Sequence, residues 1–197
     1  MMSSDTYTLI NPQTGNLAFK VFSFNDSSHF DHIQRLNYYS LIWIKNGKGI
    51  AKSDFSEYDF RQSTLFAFSP YQPFMFQTGE QIQGVVINFH PDFFCIMKHH
   101  DEVACNGVLF NNIYEPPYVL IDEMTRATFN MVLEQMKIEP MMRIRPAVKG
   151  YPESKIMEAE YTIAHDEFCR VADGYQLLVQ IGEAAPLPHA GEHEGAT

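Results

Sequence analysis

Residues Tyr38–His90 read YYSLIWIKNGKGIAKSDFSEYDFRQSTLFAFSPYQPFMFQTGEQIQGVVINFH. The stretch breaks into five or six short runs of aromatic and β-branched residues, each stopped by Gly, Asn, Ser or Pro. A chain that lays down strands of this length with no helical run between them has to close on itself as a sandwich or small barrel. Barrels of this kind enclose pockets.

The individual runs are legible. Tyr38–Lys45 is dense in aromatic and β-branched side chains, and Asn46-Gly47 supplies the positive backbone angles of a tight hairpin, so Gly49–Phe55 is expected as the return strand. Glu57–Gln62 and Thr64–Ser69 alternate with the period of two of half-buried strands, and Pro70 ends the second. Pro73–Gln77 is short and aromatic. Ile82–His90 is longer, and its Val85-Val86-Ile87 centre predicts burial on both faces. Pro91 removes an amide donor and fixes its own φ, which suits the first turn of a helix, so PDFFCIMKHH from Pro91 is expected to be a short helix.

Working outward, Tyr118–Ile121 is expected as a last strand. Asp122 is the N-cap of a helix to Lys137, on which Phe129, Val132, Leu133 and Met136 fall at i, i+3, i+4 and i+7. That apolar stripe has to cover something: either the outside of its own barrel or the same helix of a second subunit. The second alternative makes these four residues a dimer interface. The chain thus divides into an N-terminal arm (1–14), a β-barrel (15–121), a dimerisation or packing helix (122–137) and a tail (138–197). A helix at Pro152–Gly174 and a Gly-, Pro- and Glu-rich end without a packed core are expected in the tail.

Composition narrows the function. The chain has 197 residues, and its 14% aromatic content, with 16 Phe and 10 Tyr, favours pleated, half-buried surfaces. A formal charge of −10, with neither the barrel nor the tail basic, argues against direct nucleic-acid binding. Cys95, Cys105 and Cys169 form no C-x-x-C pair and are expected as reduced thiols in a cytoplasmic protein. The first twenty residues show no export signal, and no window approaches the roughly 20 apolar residues of a membrane span.

The usual catalytic constellations are missing. A metal-binding barrel would present two His two apart on one strand, and no H-x-H occurs. His29 and His32 are three apart in a polar segment, His99 and His100 lie at the end of the short helix, and His90 stands by itself on a strand. There is no G-x-S-x-G elbow, and Cys95 sits in the apolar run FFCIM, which keeps a thiol inert. No metal and no cofactor are therefore expected. What remains is an aromatic barrel with a few polar atoms, the ordinary form of a small-molecule site. Tyr39, Trp43, Phe66 and Phe68 are pocket candidates on the earlier strands. Phe74, Phe76, Asn88 and His90 are the candidates on the later ones. The period of two leaves open which parity faces inward, and each aromatic has the alternative of simply filling the barrel.

Taken in order, these runs resemble the N-terminal cupin domain of AraC-type transcription regulators, in the form common in Bacteroidetes. The resemblance is carried by the Lys-x-Gly turn at Lys45–Gly47, the D-F-x-E-Y hairpin at Asp54–Tyr58, the F-x-S-P-x-Q turn at Phe68–Gln72 and the G-x-x-I-x-F-x-x-x-F step at Gly84–Phe94. It covers about residues 15–137. It implies a mainly β fold, a cupin-like double-stranded β-helix (jelly-roll barrel) followed by C-terminal helices, that binds a small-molecule effector and forms a homodimer. The alternative on the same fold is a metal-dependent cupin enzyme, an isomerase or dioxygenase. Family members often carry His where this chain has Phe74. They also continue into a basic helix-turn-helix domain, which nothing after Lys137 resembles. The chain is therefore expected to be either a stand-alone sensor or the product of a truncated or frame-shifted gene.

Overall fold

A long apolar run at the end of a series of short strands becomes the middle strand of the larger of two sheets. The computed structural model describes residues 6–93, 110 and 116–144, with the backbone only for 135–144. Among the described residues the elements in chain order are β1 (Tyr7–Ile10), β2 (Leu17–Phe24), β3 (Tyr39–Asn46), β4 (Gly49–Ser53), β5 (Ser56–Phe60), β6 (Thr64–Phe68), β7 (Phe74–Gln77), β8 (Gln83–Phe89), β9 (Tyr118–Leu120) and the helix α1 (Glu123–Ile144). Six strands form one sheet in the order β1-β2-β8-β3-β6-β9, and three form a second in the order β5-β4-β7. Every pairing is antiparallel. From β3 onward the chain passes repeatedly between the sheets, the winding of a jelly roll.

Val85, Val86 and Ile87 are buried on both sides, as their sequence predicts. The six-stranded sheet has two covered faces. On one, Phe22, Phe24, Ile42, Ile44, Phe66 and Phe68 meet Phe60, Phe74 and Phe76 of the smaller sheet. On the other, Val21, Leu41, Trp43, Leu65, Val85 and Ile87 pack beneath α1. The inter-sheet layer is largely aromatic: Phe68 and Phe74 stack with centroids 4.0 Å apart, and Phe60 meets Phe66 edge-on at 5.6 Å. Such pairs add to the area they bury.

The expected hairpin at Asn46-Gly47 is not one. β3 is flanked by β6 and β8, so it has no free edge for β4, and β4 pairs with β5 and β7 instead. Gly47 carries the chain from one sheet to the other at φ 100°. The tight hairpin comes next, where Ser53 faces Ser56 across Asp54-Phe55, with Asp54 at φ 54° and Phe55 exposed at the tip. Asp54 is tied to the turn at Ser69–Gln72: Gln72 Nε2 donates to Asp54 Oδ2 at 2.9 Å and Ser53 Oγ at 3.1 Å, while Gln72 Oε1 accepts from the Ser69 amide at 3.1 Å. Two motifs that are separate in the sequence are thus one hydrogen-bonded corner.

The N-terminal arm contributes β1, which pairs with β2. At the other end, Asp122 caps α1, its Oδ1 accepting from the Thr125 amide at 2.7 Å. The helix runs to Ile144, past the expected end at Lys137 and through Pro140. Phe129, Val132 and Leu133 are 2%, 0% and 2% exposed, packed in the chain's own core, so the intramolecular alternative for the stripe holds and these three present no surface to a second subunit. Phe129 meets Trp43 edge-on at 5.2 Å, and Lys45 Nζ reaches from β3 to Asn130 Oδ1 at 2.8 Å while lying 4.5 Å from the Trp43 ring centroid. Pro91–Phe93 form a turn, with the Phe93 amide bonded to the His90 carbonyl at 2.9 Å. The rest of the expected short helix, the three cysteines, His99, His100, the Met136 side chain and the expected tail helix lie outside the described residues.

The hydrogen bonds from Thr125 hold the Asp122 carboxyl below its ordinary value of 3.8. A carboxylate lowered by folding contributes stability above its unfolded value and loses it as pH falls through the folded one. Asp122→Asn keeps the capping oxygen without the charge. Its melting temperature should match the wild type near neutrality, and its acid limb below about pH 4 should be shallower when melting is followed against pH.

Candidate functional site

The cavity follows from which side chains the interior face cannot fill. Along β2, β8 and β3 the register sets Phe22, Val86 and Ile42 in one row and Lys20, Asn88 and Ser40 in the next one that faces inward. The first row is apolar; the second, nearer the end of the barrel, is polar. A cavity of about 110 Å³ opens there. Its far wall is Phe74 of β7, and the loop between β2 and β3 supplies His29, Phe30, Gln34, Leu36 and Tyr38.

That loop is held as an edge strand would be. Gln34 and Phe74 exchange backbone hydrogen bonds of 2.7 and 3.1 Å, and the Phe76 amide donates to the Phe30 carbonyl at 2.8 Å. The polar segment around His29 and His32 therefore walls the cavity and covers the β7 edge. His29 packs on Phe22 with centroids 5.3 Å apart, while exposed His32 bonds Asp31 at 2.8 Å and Gln34 Nε2 at 2.9 Å. Among the described residues no group of three or more His, Cys, Asp or Glu is placed to hold a metal ion.

The electrostatics of the cavity are one-sided. Among the described residues its lining contains Lys20 and no Asp or Glu. The Lys20 ammonium lies 4.8 Å from the Phe22 ring centroid. Ser40 and Asn88 are 1% and 4% exposed, and both Ser40 Oγ and Asn88 Oδ1 lack a hydrogen-bond partner. Each such buried oxygen costs about 1–3 kcal/mol unless a water or a ligand satisfies it. Burial holds the Tyr38 phenol above its usual range, so it stays a neutral hydroxyl at physiological pH.

Of the residues singled out in the sequence, Phe74 and Asn88 line the cavity. Phe66, Phe68 and Phe76 share the inter-sheet layer but fill it, each 0–1% exposed. Tyr39 and Trp43 point the other way, into the layer under α1, where Tyr39 stacks on Phe89 at 5.2 Å. His90 lies one residue past the end of β8, its Nδ1 accepting from the Asp92 amide at 3.2 Å. Lys20, Ser40, Tyr38 and the loop residues were not singled out. Both faces of the large sheet are buried, so parity could not be chosen, and a lysine inside a strand has the signature of a solvent face.

No protein-family model matches the chain, and no curated protein matches it in sequence. Partial likenesses to solved cupin structures are found. A cupin-like protein from Thermotoga maritima is 12% identical, with 43% of this chain and 66% of that one covered at a TM-score of 0.34. A cupin 2 conserved barrel domain protein from Rhodopseudomonas palustris is 17% identical, with 43% and 59% covered at 0.32. An oxalate decarboxylase variant from Bacillus subtilis is 10% identical, with 37% of this chain and 21% of that one covered at 0.33. This chain thus spans about a fifth of the decarboxylase and less than two thirds or about two thirds of the others. The fold is mainly β and cupin-like, with a helix after the strands, and its strand order and two-sheet winding carry that description.

Proposed function

We propose that this chain is the small-molecule effector-binding and dimerisation domain of an AraC-type transcription regulator, acting by binding and not by catalysis. The observation that supports it best is the polar row Lys20–Asn88–Ser40 at a cavity inside an otherwise aromatic barrel, with two buried oxygens left unpaired. A cavity kept at a cost to stability is the mark of a binding site. The corner joining Asp54 to Gln72 gives the motifs of the family resemblance one structural purpose, that of fixing β7 and hence the cavity wall. Since Phe129, Val132 and Leu133 are used inside the chain, the proposed dimer forms through other residues.

The test is a library of small metabolites screened by thermal shift against the full chain and against Ser40→Leu. Binding to the native state raises the melting temperature, by about 2.7 kcal/mol of stability at a hundredfold excess over Kd. Leucine fills the cavity and removes an unpaired hydroxyl. The variant is therefore expected to melt no lower than the wild type and to show no ligand-induced shift. A hit that stabilises both proteins equally binds elsewhere and contradicts the reading, as does stoichiometric iron, manganese or zinc in protein purified without chelator, which favours a metal-dependent cupin enzyme. Light scattering tests the dimer: a monomer at all concentrations removes it.

A further inference from the structure

The lining says what kind of molecule the cavity takes, an inference that rests on the effector-binding reading. Three polar groups are set by the register of β2, β8 and β3 in a single row: the Lys20 ammonium, then Asn88, then Ser40. Lys20 is half-buried and lines the cavity, and among the described residues no carboxylate is within ion-pair distance of it. The chain as a whole carries a formal charge of −10, yet the formal charge that lines this cavity is positive. An ammonium in a low-dielectric wall attracts an anion more strongly than one on the surface does. Beside it stand a hydroxyl that donates and accepts and an amide oxygen that accepts, both buried and both without partners. The other sides are apolar, from Phe22, Ile42, Phe74 and Val86.

We propose that the cavity binds a short 2-hydroxy carboxylate. Its carboxylate accepts from Lys20 Nζ, and its hydroxyl donates to Asn88 Oδ1 and accepts from Ser40 Oγ. This arrangement satisfies both orphaned oxygens and pairs the lysine with one small molecule. The cavity, about 110 Å³ and open toward solvent at the barrel end, suits a short ligand with a few polar groups. A neutral amide or diol of the same shape would meet the hydroxyl partners and leave the ammonium unpaired, so charge is what the site selects.

The experiment is calorimetric titration of the full chain with lactate, glycolate and glycerate, and with lactamide and propane-1,2-diol as neutral counterparts, alongside the metabolite library. Lys20→Met keeps the apolar stem against Phe22 and removes the charge, and its fold is checked by circular dichroism and cooperative melting; Lys20→Arg restores the charge if the methionine variant does not fold. The hydroxy acids are expected to bind, the neutral counterparts to bind about tenfold more weakly or less, and Lys20→Met to weaken the acids by about tenfold or more while Lys20→Arg retains them. Equal binding of lactamide and lactate, or unchanged lactate affinity in Lys20→Met, overturns the ligand class. Neutral library compounds binding in a Ser40→Leu-sensitive way, with no hydroxy acid among the ligands, overturns the class while the effector-binding reading stands. Absence of any binder from the acids and the library removes both.

Discussion

Gly84→Ala is expected to cost the protein at least about 3 kcal/mol, enough to unfold much of it at physiological temperature. Gly84 stands in β8 opposite Phe24 of β2 and Ile44 of β3, the two neighbours that β8 joins into one sheet. A Cβ on Gly84 would run into the Trp43 carbonyl oxygen and come within 2.6 Å of the Phe24 ring. A ring can turn aside, but a carbonyl fixed in the sheet cannot. Phe24→Ala in the same chain should therefore recover little of the loss, and chemical denaturation of the single and double variants measures it. The comparison also separates two explanations of the glycine: if it were needed for the ring only, the double variant would recover most of the stability.

Phe129→Ala is expected to cost about 3–5 kcal/mol in the unfolding of a single chain, because it empties a buried site between α1 and the sheet. The ring is 2% exposed and lies edge-on to Trp43, the chain's single tryptophan. Tryptophan emission should shift to the red in the variant before denaturant is added, as the helix loosens over the sheet. An interface between subunits would behave otherwise. There the substitution would make melting depend on protein concentration and leave the isolated chain's stability and emission unchanged. Because Lys45 also ties β3 to Asn130, the loss is expected to spread to the whole barrel and not to stop at the helix.

The sequence made the strands from Tyr39 to Phe89 readable because aromatic and β-branched runs are cut by Gly, Asn, Ser and Pro, and β5, β6 and β8 fall within a residue or two of their expected ends. β2 was harder. In LAFKVFSF the residues Ala18, Phe19, Val21, Phe22 and Phe24 are all buried, since one face meets the smaller sheet and the other the layer beneath α1. No alternation survives such double burial. The Asn46-Gly47 step misled for a different reason: a positive φ at Gly47 serves a turn between sheets as well as a turn within one, and which of these occurs depends on whether β3 has a free edge.

The site was legible in part for the same reason. Asn88 and Phe74 could be named because both stand on strands whose alternate side chains face the barrel interior. Lys20 could not. Its meaning depends on β8 pairing with β2, which sets it beside Asn88 and across from Ser40, residues 68 and 20 positions away in the chain respectively. Trp43 and Tyr39 were drawn in because large aromatics on a central strand fit either face, and a helix beyond the barrel decides between them.

The central claim is that the barrel binds a small molecule against the row Lys20–Asn88–Ser40, and amide chemical-shift mapping tests it most directly. Titrating the isotope-labelled full chain with the strongest binder should move the amides of Lys20, Phe74, Asn88 and Ser40 most, and the same titration of Ser40→Leu should move none of them. Shifts gathered instead on the exposed face of α1, around Met124 and Met131, would contradict the account.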